Sequence, residues 1–433
     1  MMRRLQWMSW LAGFLLAAAA HAELKIDITR GVTDPVPVAV VPFAPAAQGA
    51  AGLDIAAVIQ RDLESSGRFK GMARDAMPAR PTRAADVDAA RWRALRNDYV
   101  VVGREVPRDA AEMRLEFELV NALTGQVLLQ DSIGVPPANV RHGAHRVADK
   151  IFEKITGTRG AFATRIAYVS VDGQPPSQRY QLLIADADGE SARVAMESRL
   201  PIMSPAWSPD GQWLAYVSFE NRASAIFVQR VRTGERRQVS ARTGINGAPA
   251  WSPDGRKLAI TLSGSGGNLD IYVLDLSTQE LTRITDDPAI DTEATWTPDG
   301  QMLYFTSDRG GGPQIYRVAP RAAARAQRVT FGGGYAARPR ISPDGRLLAV
   351  VTQESGSFRI GVADPAVGQI SGLTRGALDE SPSFAPNGAV LIFAGRERGQ
   401  GVLATVSVDG QVTQQLKSDK GEVREPAWGP FVD

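Results

Sequence analysis

The sequence predicts an N-terminal α/β domain followed by an all-β six-bladed β-propeller, with the ring closed by the C-terminal strand. Three observations carry this. A turn motif built on Trp-Ser-Pro-Asp-Gly starts six times in the second half, at intervals of 44, 45, 45, 43 and 44 residues. That period is the length of a four-stranded blade. Residues 23–160 lack the repeat and mix strand-like with helix-like patterns, and the sixth motif start, at Trp428, has only five residues after it. Its blade must therefore be completed by strands from elsewhere in the chain.

In chain order, Arg3 and Arg4 precede an apolar run from Leu11 to Ala20, and Ala20-His21-Ala22 places small residues at positions −3 and −1 of a cleavage site. Residues 1–22 thus read as a secretory signal peptide, with the mature chain starting at Glu23. The run is shorter than the roughly 20 apolar residues a membrane span needs, and no other stretch comes close, so no direct span is expected. Cleavage removes two arginines from 49 basic residues against 47 acidic ones, leaving 47 of each. With no long Lys/Arg run either, the electrostatic footprint of a nucleic-acid binder is missing. The chain has no cysteine, which excludes disulfides, thiolate metal sites and thiol nucleophiles.

Within residues 23–160, Leu24, Ile26 and Ile28 alternate with Lys25, Asp27 and Thr29, the pattern of a strand with one apolar face at an edge of the α/β domain. Gly31 and Asp34-Pro35 supply a hinge after it. Val36 to Phe43 is a continuous apolar strand. Gly52 to Gly67 reads as an amphipathic helix with Leu53, Ala56, Ala57, Ile59 and Leu63 on its core face. Asp86 to Arg96 suggests a second helix, and Tyr99 to Val106, Arg114 to Val120 and Val127 to Val135 read as strands. Ala144 to Ile155 is a closing helix stopped by Gly157. His142 and His145 fall at its start, read as packing or surface histidines rather than metal ligands.

The propeller is assigned to residues 163–433. Each Pro-Asp-Gly turn is followed by an apolar strand such as Trp213 to Val217, a Gly/Ser/Asn turn, a strand such as Asp270 to Leu274 and a shorter one such as Leu281 to Thr285. Proline presets the turn backbone, aspartate bonds nearby amides and glycine closes it, so these aspartates are scaffold. Upstream of the first motif, Arg165 to Ser170, Tyr180 to Asp186 and Ala192 to Glu197 form three strands that await a fourth. The C-terminal strand, Val423 to Val432, supplies it and leaves the ring without an open edge.

The residues just before each Trp position gather at one mouth of the central channel. Two residues before it stand Pro205, Pro249, Ala294, Pro339, Pro382 and Pro426, a rigid rim. Around it lie Met203, Asn246, Asp291, Thr292, Glu293, Arg338, Asp379, Glu380, Arg424 and Glu425. Five carboxylates against two arginines give an acidic bias, suited to a basic partner segment or a cation. A solvated loop face without specific role fits the same pattern.

Several strings outside the generic repeat resemble the TolB family, the periplasmic component of the Tol–Pal system. They are Leu200 to Gly211, Asn246-Gly247-Ala248-Pro249, Phe152 to Gly157 and Gly160 to Val169. The similarity covers essentially the whole chain, and the junction around Gly157 to Val169 is its most specific part. The resemblance implies a non-enzymatic adaptor without cofactor or metal, monomeric outside its complexes, that serves outer-membrane integrity and invagination during cell division. Its channel mouth, here Met203, Ile245, Asn246, Ala248, Asp291, Thr292, Glu293, Arg338, Asp379, Glu380 and Glu425, would receive the peptidoglycan-associated lipoprotein Pal. Where the family has histidine before Asn-Gly-Ala-Pro, this chain has Ile245. The mature N-terminal segment, Glu23, Leu24, Lys25, Ile26, Asp27, Ile28, Thr29, Arg30, Gly31 and Val32, would recruit the inner-membrane protein TolA. The alternative is a periplasmic propeller hydrolase, glycosidase or peptidase-like, using paired carboxylates at the mouth. No Gly-x-Ser-x-Gly elbow is present for a serine peptidase.

Overall fold

The computed structural model describes residues 34–46, 52–264, 266–331, 333–397, 399–416 and 421–432. The expected signal peptide and the Glu23–Val32 segment lie outside these described residues. The first region is a five-stranded sheet of order β2-β1-β3-β4-β5, made by Val36–Val40 (β1), Phe69–Gly71 (β2), Tyr99–Pro107 (β3), Met113–Asn121 (β4) and Val127–Val135 (β5). β1 pairs in parallel with β2 and β3, whereas β3, β4 and β5 form an antiparallel meander.

Helices Ile55–Ser65 (α1) and Val140–Thr156 (α3) cover one face of this sheet, joining Val38, Val40, Val101, Leu115 and Phe117 in one core. The short helix Ala89–Ala94 (α2) covers the other face, driving Trp92 against Ala39, Val41, Val100 and Val102. Asp54 caps α1 by accepting the Ala57 N–H at 3.0 Å, so the helix begins after Leu53. That start explains one departure from the periodic reading: Leu53 precedes the first turn and is 39% exposed. Ala57 is also only half-buried, while Val58 and Asp62 complete the buried face. α3 starts four residues earlier than its apolar pattern, directly after the turn at Pro137–Asn139, and this extra turn carries Arg141. Gly157 ends it in the left-handed region, φ 74°, donating its N–H to the Glu153 carbonyl at 2.8 Å.

The second region is six sheets of four strands each. Their innermost strands are Ile202–Trp207, Asn246–Trp251, Asp291–Trp296, Ala336–Ile341, Glu380–Phe384 and Glu422–Trp428. The last of these pairs antiparallel with Arg165–Asp172, Val423 opposite Ser170 and Trp428 opposite Ile166, so the two ends of the propeller sequence share one blade. That blade packs on both neighbours: Ala167, Val169 and Leu182 meet Ile202 and Tyr216 of the first blade, and Ile166 and Tyr168 meet Ile392 and Leu403 of the fifth. Closure thus buries both faces and removes the edge.

The turns after the first four inner strands behave as their chemistry predicts. Ser252 Oγ donates to Asp254 Oδ1 at 2.5 Å and accepts the Lys257 N–H at 2.9 Å, and Thr297 and Asp299 repeat this arrangement. The tryptophans add bonds between blades. Trp207, Trp251 and Trp296 donate their indole N–H to the carbonyls of Ala427, Ala206 and Ala250 on the preceding blade, at 3.1, 3.0 and 3.1 Å. Ile341 and Phe384 occupy the same position without a donor, so the seams entering the fourth and fifth blades rest on apolar packing alone at this point.

Candidate functional site

Every inner strand breaks its ladder once, three residues before the Trp position, and there the chain enters the left-handed region. The six residues are Ser204, Ala248, Glu293, Arg338, Ser381 and Glu425, with φ between 45° and 56°. Each coincides with a register shift against the second strand of its blade. None is glycine, so each holds a conformation that costs on the order of 1–3 kcal/mol. Proline follows five of the six, removing an N–H from the ladder at the irregular point. Bulges of this kind re-aim side chains, and here they point one residue per blade at the channel mouth.

The resulting ring is electrostatically closed on itself. Arg338 donates from Nε to Glu293 Oε1 at 2.6 Å and from Nη1 to the Ser381 hydroxyl, with Nη2 3.7 Å from Glu425 Oε1. Glu425 also accepts the Ser204 backbone N–H at 2.5 Å, tying the closing blade to the first. Burial works against the Arg338 charge, but Glu293 and Glu425 outweigh it and hold the guanidinium above its ordinary value. Around this ring stand exposed apolar side chains, Met203 at 39%, Ile245 at 47% and Ile290 at 48%.

Several residues of the sequence-predicted mouth serve another purpose. Asn246 is fully buried and its side chain bonds Ser240, the Arg242 N–H and the carbonyls of Arg242 and Gly244, holding the loop that presents Ile245. Asp291 is fully buried on Arg309 at 2.7 Å, and burial, offset in part by Ser307 and Arg309, pushes its pKa up. Asp379 is buried, accepts the Gly376 N–H at 3.0 Å and is likewise pushed up by burial. Thr292 is half-buried, its hydroxyl 3.3 Å from that of Thr261, and Glu380 is half-buried beside Ser381. Arg424 pairs with Glu422 at 2.7 Å.

The expected acidic bias is thereby reduced. Two of the five carboxylates are buried scaffold, and two more share one guanidinium that balances one of their two charges, so the accessible mouth is an apolar collar around an internally paired ring that stays weakly acidic. The sequence reading missed Ile290 and the hydroxyls of Ser204 and Ser381. Aligning the six units on the Trp position recovers them: Ile290 stands six residues before it, in line with Pro201, Ile245, Tyr335, Leu378 and Glu422, and Ser204 and Ser381 stand three before it.

The same geometry disfavours carboxylate catalysis. A glycosidase needs one protonated and one ionised carboxyl free to reach substrate. Glu293 and Glu425 are instead both engaged by Arg338. At the seam between the two regions, His145 is 1% exposed, its Nδ1 lies 2.7 Å from Asp62 Oδ2 and its Nε2 4.0 Å from Asp186. Asp62, His145 and Asp188 bring potential ligand atoms within 4.8 Å of one another. The sequence reading, which treated His145 as an ordinary packing histidine, did not foresee this cluster, whose carboxylates come from α1 and from the propeller. Arg141 already pairs with Asp186 at 3.4 Å and with Asp188.

Fold and site together define a propeller-based binding component with an appended α/β domain. The chain belongs to the TolB family: the profile described as TolB beta propeller domain matches residues 152–432, and that described as TolB amino-terminal domain matches residues 24–128. The Tol-Pal system protein TolB of Thioalkalivibrio sulfidiphilus is 53% identical over 421 residues, covering 97% of this chain and 96% of that protein. Its counterpart in Methylococcus capsulatus is 54% identical over 424 residues, covering 97% and 98%. The crystal structure of TolB from Acinetobacter baumannii superposes with a TM-score of 0.85 at 40% identity, covering 93% of this chain and 98% of that one. The protein is accordingly a non-enzymatic, periplasmic component of the Tol–Pal system. No helix among the described residues is long and apolar enough to cross a membrane.

Proposed function

We propose that this protein is an adaptor that receives Pal on the channel mouth and TolA through Glu23–Val32, in support of outer-membrane integrity and invagination at division. Export through a cleaved signal peptide, residues 1–22, belongs to the same reading. The observation that supports it best is the mouth itself: the six left-handed residues line it, and three of them set a partly buried Glu–Arg–Glu cluster within a collar of exposed apolar side chains. Interfaces take most of their binding energy from such a centre, where apolar anchors exclude water from a few polar contacts.

The experiment is calorimetric titration of Pal into the mature protein and its variants. Ile245→Glu and Met203→Glu place a charge on the collar at exposed positions, so the fold is spared, and each is expected to weaken Pal by about tenfold or more. Asp210→Lys, at the far end of an inner strand, is expected to leave Pal binding unchanged. The reverse order, with unfolding curves intact, would show that the wrong face has been assigned. Deleting residues 23–32 is expected to abolish TolA binding, and undiminished TolA affinity in that protein would remove the second half of the reading.

A further inference from the structure

Below the mouth, the channel narrows to a waist at which Pro205, Pro249, Pro426 and Arg340 border both the upper and the lower cavity. The six residues immediately before the Trp positions line the lower cavity: Ala206, Ala250, Thr295, Arg340, Ser383 and Ala427. Arg340 is thus the one charge at its level, facing two hydroxyls and three methyl groups. Its situation differs sharply from that of Arg338, two residues earlier on the same strand. Arg338 engages Glu293 and Glu425, whereas Arg340, among the described residues, forms no ion pair, and its one hydrogen bond runs from Nη1 to the Pro339 carbonyl at 2.8 Å. Burial, with the neighbouring Arg338 charge, holds its pKa below the ordinary arginine value, and the two glutamates offset this only in part.

A half-buried guanidinium in a narrow channel without a counter-ion is incompletely solvated, and its planar fork of donors matches a carboxylate in two parallel bonds. The route to it from below is rimmed by Pro343, Pro386 and Pro430 and by Trp207, Trp251 and Trp428, residues that suit hydrocarbon and aromatic bodies.

We propose that the channel waist is a binding site for small organic carboxylates, with the anion on Arg340, assisted by the Thr295 hydroxyl, and the apolar body against the proline–tryptophan rim. This site lies on the opposite side of the Arg338 ring from the collar and is independent of what the collar receives. An anion there leaves the Glu293–Arg338–Glu425 cluster intact, because it occupies donors that cluster does not use.

The test is isothermal titration of the full mature protein with benzoate as probe, at constant ionic strength, alongside inorganic phosphate and sodium chloride. Saturable benzoate binding is expected, at least tenfold tighter than phosphate, together with a saturable rise in melting temperature. Arg340→Met, which keeps the bulk of the side chain and removes the fork, is expected to abolish the binding while raising the melting temperature of the unliganded protein. Arg340→Lys keeps the charge and is expected to weaken benzoate at least tenfold, which separates bidentate recognition from simple charge. Benzoate binding that survives unchanged in either variant, with circular dichroism as in the parent, overturns the assignment. So does a parent protein whose response to benzoate merely tracks the chloride control.

Discussion

At their lower ends, four inner strands run into the same turn, in which Ser208, Ser252, Thr297 and Ser342 donate to Asp210, Asp254, Asp299 and Asp344 at 2.5 to 2.6 Å. At their upper ends, all six strands share one backbone feature, the left-handed bulge, yet carry Ser204, Ala248, Glu293, Arg338, Ser381 and Glu425. Repetition of side chain and backbone together marks what builds the blade. Repetition of backbone with divergence of side chain marks what the blade presents, because a ring surface can be specific only where its repeats stop being alike.

The contrast can be broken most violently by removing one strand that carries both ends. Deleting residues 422–432 takes away the partner of Arg165–Asp172 and Val423, which packs with Ile392 and Leu403. Exposed edge and apolar face together should cost cooperative unfolding or cause aggregation, read by calorimetry and size-exclusion chromatography. A monomeric deletion variant with a parental melting curve would mean that the ring does not depend on its closure.

Next in size is the difference between the two ends themselves. Arg338→Met leaves Glu293 and Glu425 facing each other across a partly buried ring, and urea denaturation should show a loss of roughly 2 kcal/mol. Asp254→Ala removes one side-chain hydrogen bond from Ser252 and one from the Arg256 N–H at 3.1 Å, in a turn open to water. Its expected cost is about 1 kcal/mol. Equal costs at the two sites would dissolve the distinction between an interlocked ring and six separate turns.

Legibility in the sequence follows the same division. The blade count, the closing strand and the strands Tyr99–Pro107, Met113–Asn121 and Val127–Val135 are written in local signals, a fixed period and runs of apolar residues, which fold as they read. The mouth is legible in its residues but not in its electrostatics. Counting charges around the rim overstates its acidity, since Asp291 and Arg309 are separated in sequence and only the folded loop joins them at 2.7 Å. The pairing of Arg338 with Glu293 and Glu425 spans three blades, and no local pattern encodes it. His145 shows the limit most plainly, because Asp62 and Asp186 reach it from α1 and from the propeller, and an isolated helix sequence carries no trace of either.

A carboxylate with backbone partners sharpens the comparison with the guanidinium-matched pair at the mouth. Asp149, on α3, faces the junction between the two regions and accepts the N–H groups of Phe162 and Ala163 at 2.7 and 3.2 Å. Those bonds favour its charged form, but burial outweighs them, and its pKa is raised from 3.8 to about 6. The unfolded chain therefore releases this proton near pH 3.8, while the folded protein keeps it until about pH 6. Between those limits the native state binds more protons, so the contribution of Asp149 is fully present below the lower value and is lost as pH rises through the upper one. A shift of about two units corresponds to roughly 3 kcal/mol. Asp149→Asn keeps an acceptor for the two amides and cannot ionise. Urea denaturation of both proteins from pH 4 to pH 7.5 should show the parent losing stability relative to the variant across this range, and a constant difference above pH 7. Asp62 and His145, whose charges also act on Asp149, are present in both proteins, so the difference reports Asp149 together with its coupling to them. A difference independent of pH would mean that the carboxylate is ionised in the folded protein throughout, and that the two amides match it as well as Arg338 matches the glutamates of the mouth.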